Sequence, residues 1–198
     1  MVVARIYLEG GGQSKDLQAR CRKAFRKLFE RAGFAGRMPR LRACGGRDNA
    51  FENFRTAHAN YSDEYIALLA DSEEPVSDVE QPWAHLRTRD RWERPSGATN
   101  DQALLMVTCM ETWIACDHAA IDRRFGPRVR LGVLPPVAGL EQRDRKAVFE
   151  ALRSATADCP AVFSKGAISF EVLATVSPDS LMALSGFARV RRILEARL

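Results

Sequence analysis

Short strand-like blocks stand at residues 2–8, 40–44, 65–70 and 103–107, and the one at 65–70 is mostly apolar without polar alternation. That run, bounded by breakers, fits a strand of a parallel sheet buried on both faces, and the blocks at 2–8 and 40–44 read as further strands. The block at 103–107 fits a fourth strand or a buried helical turn, and periodicity does not separate the two. Between the first two blocks, residues 15–31 place Leu17, Cys21, Ala24, Phe25, Leu28 and Phe29 on one face of a helix, which Gly33 ends. A second helix over 48–59 carries Phe51 and Phe54 inward. The β-α-β-α-β alternation predicts an α/β fold with a parallel, Rossmann-like sheet of about four strands, flanked by helices and joined by right-handed crossovers.

Residues 75–100 lack any period. Pro75, Pro82, Trp83, Trp92, Pro95 and Gly97 interrupt them, which predicts a long structureless loop. Its tryptophans either stack on bases or pin the loop to the core. Helical signals return at 110–117. After Gly126-Pro127 they recur at 143–155, 169–174 and 187–197, with Ser177-Pro178 as a helix start. The chain therefore divides into an α/β part, residues 1–126, and a mainly helical C-terminal extension, 127–198, packed on it.

Composition narrows the class. The 198 residues, 46% hydrophobic and 28% charged, are those of an ordinary globular chain. Thirty Lys and Arg against twenty-five Asp and Glu give a net charge of +5, which permits a polyanionic partner without demanding one. Five scattered cysteines (Cys21, Cys44, Cys109, Cys116 and Cys159) form no CxxC pair, which argues against a disulfide framework or a zinc ribbon. The first residues read as a strand rather than a signal peptide, and no apolar run approaches the roughly 20 residues of a membrane span. A cytoplasmic protein with no membrane partner is expected.

The candidate chemistry sits at strand exits. Residues 65–70 give way to Asp71-Ser72-Glu73-Glu74-Pro75, and the first block runs into Glu9-Gly10-Gly11-Gly12. Open α/β sheets place ligands at the carboxyl ends of their strands, and clustered carboxylates suit hard cations such as Mg²⁺. The same pattern also describes a strand ending in a solvated acidic loop. Gly10, Gly11 and Gly12 let the backbone approach phosphate, yet no GxxxxGK[ST] or GxGxxG pattern is present. Glu111 falls near a helix start, a favourable place for a carboxylate. Arg20, Arg22, Lys23, Arg26 and Lys27 form a basic helix face, suited to a phosphate backbone or to solvent alone. His85 and His118 lack metal-site spacing, and Cys44 reads as a nucleophile or, more simply, as a small buried hydrophobe.

Taken together, 6–12 (IYLEGGG), 44–47 (CGGR), 69–73 (LADSE), 106–113 (MVTCMETW) and the KG…SFEVL stretch of 165–173 resemble the bacterial domain-of-unknown-function 4276 family over nearly the whole chain. That family is similar to TOPRIM domains, the metal-binding modules of topoisomerases, primases and overcoming-lysogenization-defect nucleases. The resemblance implies a TOPRIM-like fold over 1–126. It also implies Mg²⁺ or Mn²⁺ on Glu9, Asp71 and Glu73, helped by Glu111, with Glu9, Asp71 and Glu73 as catalytic residues; Lys165 is either a further catalytic residue that neutralises developing negative charge or a surface cation. Arg47 and the glycine loop would contact phosphate. The implied activity is metal-dependent phosphodiester hydrolysis of nucleic acid, DNA above all, in phage defence with an ATPase partner. The alternative is a non-catalytic TOPRIM-like subunit of such an ATPase complex. Two departures from the pattern stand out: Glu73 replaces an aspartate, and Gln13 stands near a second acid's place, with Asp16 as the nearby substitute. A receiver-like phosphoacceptor would need paired acids after the first strand, where this chain has one acid and then glycines.

Overall fold

All four blocks become strands of one sheet: β1 (Ala4–Leu8), β2 (Arg40–Ala43), β3 (Tyr65–Asp71) and β4 (Ala103–Met106). The computed structural model describes residues 3–198, so Val2, assigned by its sequence to the first strand, lies outside the described residues. The sheet is entirely parallel, in the order β2-β1-β3-β4. β3, at its centre, is buried from Tyr65 to Ala70, as an apolar run without alternation requires. The block at 103–107 pairs as a strand because four residues on the sheet edge satisfy their backbone groups against β3, from Leu68↔Ala103 to Asp71↔Met106.

The two faces of the sheet carry two apolar clusters. Ile6, Leu8, Ala67, Leu69 and Leu104 pack with Phe25 and Leu28 of helix α1 (Lys15–Phe29). Tyr7, Ile66, Leu68 and Ala103 pack with Phe51 and Phe54 of helix α2 (Arg47–Asn60). Ser14 caps α1 by accepting a hydrogen bond from the Leu17 amide at 3.4 Å. The α-helix ends at Phe29, short of the expected 31, and a π-helical turn over Glu30–Phe34 carries Gly33 at φ 100°.

Residues 75–100 are not the structureless loop that their composition suggests. Pro82, with its fixed φ, opens a third helix, α3 (Pro82–Asp90). Only Pro82, Trp83 and Leu86 of α3 are buried, too few to leave a periodic signal in the sequence. Trp92 stacks on Phe51 with ring centroids 4.3 Å apart, and Trp83 donates its indole N–H to the Thr99 carbonyl at 2.9 Å. Both tryptophans are therefore core anchors.

The remaining helices are α4 (Met110–Cys116), α5 (His118–Phe125), α6 (Arg145–Ala155), α7 (Ala167–Leu173), α8 (Pro178–Leu181) and α9 (Ser185–Arg197). Phe163, Phe170, Phe187 and Ile193 join the same cluster as Ile6 and Leu8, so the C-terminal helices share a core with one face of the sheet. Trp113 of α4 meets Phe187 of α9 edge-on at 5.0 Å. Buried Arg189 donates to the carbonyls of Ala103 (2.9 Å) and Asn100 (2.6 Å), holding α9 against the exposed edge of β4. Among the described residues, no helix is long and apolar enough to cross a membrane.

Candidate metal centre at the carboxyl ends of the strands

Because the sheet is parallel, the exits of β1, β3 and β4 lie along one edge, and the sequence places an acid at each. Glu9 follows β1, Asp71 ends β3, and Glu111 stands in the first turn of α4, just beyond β4. Main-chain bonds fix the exits: the Glu9 amide donates to Leu69 O at 2.9 Å, and the Glu73 amide to Thr108 O at 2.7 Å. Glu9, Asp71 and Glu73 each offer an oxygen, and these three atoms lie within 4.8 Å of one another. The sequence expectation that Glu9 and Asp71 end neighbouring strands on one edge is met.

Each carboxylate has a distinct environment. Asp71 Oδ1 accepts the Met110 amide at 2.8 Å, and the Asp71 amide donates to Glu9 Oε2 at 3.2 Å. Burial, then the charges of Glu9, Glu111 and Glu73, push the Asp71 carboxyl well above the usual range. Burial also raises Glu9, against the opposing pull of the Arg47 guanidinium 3.1 Å away. Glu73 takes a left-handed backbone conformation (φ 67°) and pairs with Arg89 at 3.1 Å and with Arg145. Glu111 is buried, and its Oε2 lies 3.9 Å from Nζ of exposed Lys165.

A cleft of about 340 Å³ opens beside this cluster, lined by Glu9, Asp71, Glu111, Lys165 and the glycines Gly10 to Gly12. Glu73 is not on its wall; its carboxylate is turned toward the two arginines. The glycines are sterically required where the loops meet. A Cβ on Gly45 (φ 78°) would lie 2.3 Å from the Gly12 carbonyl oxygen, and one on Gly11 (φ 86°) would lie 2.6 Å from the Gln18 backbone. Gly10 and Gly45 exchange two main-chain hydrogen bonds of 2.9 Å.

Arg47, expected at phosphate, is engaged by the protein itself. It bonds Asp90 at 2.9 and 2.6 Å, Glu9 at 3.1 Å and the Asp71 carbonyl, and it lies 4.7 Å over the Trp92 ring. Burial works against Asp90 ionising, yet the Arg47 bonds and charge hold it below the usual carboxylate range. Sequence reasoning did not single out Arg89, Asp90 or Arg145. The first two lie in the helix that has no period, and Arg145 is far along the chain from Glu73. Asp16 is paired with Arg20 at 2.8 Å and stands outside the cleft. Burial pushes the Cys21 and Cys109 thiols up to about 12 and Cys44 up to about 11, so these thiols stay protonated near neutrality and are poor nucleophiles.

The donor set fits a hard divalent cation. It consists only of carboxylate oxygens, and at Mg²⁺–O distances of 2.0–2.1 Å the widest oxygen pair of an octahedron is roughly 4.2 Å apart. The three oxygens, already within 4.8 Å of one another, would draw together by side-chain shifts to share one ion. Comparisons with protein-family models, with curated proteins and with solved structures found no match for this chain.

Proposed function

We propose that this chain is a TOPRIM-like, Mg²⁺- or Mn²⁺-dependent phosphodiesterase acting on nucleic acid, DNA in the first instance. One observation carries the reading: Glu9 from the exit of β1 and Asp71 and Glu73 from the exit of β3 bring carboxylate oxygens within 4.8 Å of one another, with Glu9 and Asp71 on the wall of an open cleft. Glu9, Asp71 and Glu73 would hold the cation, with Glu111 at the margin. When bound, the ion supplies Lewis-acid polarisation of the phosphate and a water of lowered pKa. Where Glu9 instead acts as general base, its Oε1, which accepts no hydrogen bond among the described residues, is the atom that takes a proton from water. Lys165, oriented by Glu111 at the mouth of the cleft, offsets negative charge gathering on the phosphate. The Gly11 and Gly12 amides, which meet no main-chain acceptor among the described residues, give the phosphate oxygens neutral donors.

A second reading has its own support. Glu9 and Glu73 already face Arg47, Arg89 and Arg145, so the cluster is largely neutralised from within. A non-catalytic subunit of an ATPase complex would need no more than this. Plasmid nicking with Mg²⁺ or Mn²⁺ separates the two, run with wild type, Glu9→Gln and Asp71→Asn. Loss of nicking in both variants supports hydrolysis at this site, and nicking retained in both places the activity elsewhere. No nicking by wild type, even with the product of an adjacent ATPase gene added, supports the subunit reading.

A further inference from the structure

A second concavity, of about 530 Å³, lies between α1 and α7 and shares Phe170 with the acidic cleft. Asp16, Arg20, Lys23 and Lys27 recur at steps of four, three and four along α1, so they form one stripe, and all four line this groove. Ala19, Ala24, Ala167 and Ala174 also line it, and their short side chains keep it open. The groove holds two carboxylates, and each is matched. Asp16 takes Arg20 at 2.8 Å, and Glu171 takes Arg124 at 2.8 Å with Arg20 at 3.8 Å. Lys23 and Lys27 are exposed, and neither is ion-paired among the described residues. Two ammonium groups one helical turn apart thus line a concavity that borders the acidic cleft at Phe170.

We infer that the α1–α7 groove is the exit track for a single strand of nucleic acid, with Lys23 and Lys27 contacting successive backbone phosphates. The inference rests on the phosphodiesterase reading for its direction, since a strand with one phosphate at the acidic cleft must leave along a surface that tolerates its charge. A flat basic face would suit a duplex. A concave channel that tracks one backbone suits a single strand. Because lysine contacts phosphate as a point charge, the track carries affinity and no sequence preference.

The test is fluorescence anisotropy with a labelled oligothymidylate in EDTA, across a salt series, on the intact chain. Each phosphate contact to a single strand steepens the slope of log K against log salt by about 0.7, so removing two should flatten it by about 1.4 and weaken binding roughly 25-fold at 0.1 M salt. Lys23→Ala/Lys27→Ala should show this loss and Lys23→Glu/Lys27→Glu a larger one. Both lysines are exposed, and unchanged melting temperatures would confirm intact folds. Arg55→Glu/Arg153→Glu carries the same net-charge change on exposed helix positions elsewhere and should lose far less. Equal losses in this control, tighter binding of a duplex of the same sequence, or no binding of the oligonucleotide by wild type would each overturn the groove assignment. EDTA separates this outcome from the hydrolysis reading. Binding through Lys23 and Lys27 without cleavage in any metal keeps the track and removes the phosphodiesterase, whereas nicking indifferent to both lysines does the reverse.

Discussion

Asp71→Asn should make the metal-free protein more stable and less responsive to metal. Asp71 is buried against like charges, and two carboxylates 4.8 Å apart repel by about 3.5 kcal/mol at an effective dielectric constant near 20. Arg47 offsets part of this through Glu9. Protonation sets a ceiling. At pH 7 the native state can hold a proton on Asp71 that an unfolded carboxyl, ordinarily at 3.8, has released, and that costs at most 1.36 × (7 − 3.8), about 4 kcal/mol. Asparagine carries no such penalty, and its Oδ1 can still accept the Met110 amide. A gain of about 2 kcal/mol, or roughly 4–8 °C in Tm for a chain of this size, is expected in EDTA at pH 7. The sign with pH follows from the raised carboxyl. The native state binds more protons than the unfolded chain, so wild-type stability falls as pH rises from about 4 through the folded pKa of Asp71. The advantage of the variant should therefore shrink to nothing near pH 4. With 10 mM Mg²⁺ and a Kd of about 1 mM, wild type should gain about 1.4 kcal/mol and the variant much less. Differential scanning fluorimetry across pH, with EDTA or Mg²⁺, reads both effects. A variant less stable than wild type in EDTA, or an equal metal shift in both proteins, would refute the argument.

Two further substitutions probe the scaffold. Gly45→Ala must move the Gly12 carbonyl by about 0.7 Å and adopt positive φ, and it strains the Gly10–Gly45 pair. A loss of about 2–5 kcal/mol by urea unfolding is expected, whereas Gly46→Ala, with open space around its Cβ, should change little. Arg47→Met strands Asp90 and Glu9 without their shared cation and should cost about 3–5 kcal/mol. A loss below 1 kcal/mol in the same assay would mean that water replaces the guanidinium.

The parallel α/β pattern of the first three strands and the acids at the exits of β1 and β3 are legible from the sequence, most clearly at β3, because a doubly buried strand must be apolar throughout and must shed charge where it leaves the core. Glu9 and Asp71 could be placed together from the rule that parallel strands share a carboxyl edge. Helix α3 escaped because three buried residues leave no period, and the strand block at 103–107 stayed ambiguous until β3 supplied its hydrogen bonds. Only the tertiary structure decided how the cluster is neutralised. Arg47 reaches Asp90 across 43 residues, and Arg145 reaches Glu73 from the start of α6. Such pairings depend on where helices from distant parts of the chain pack against one sheet edge, and no local pattern of charge encodes that distance. The alanine-lined groove has the same origin: the stripe on α1 is written in the sequence, but its facing wall is α7, which packing alone brings to it.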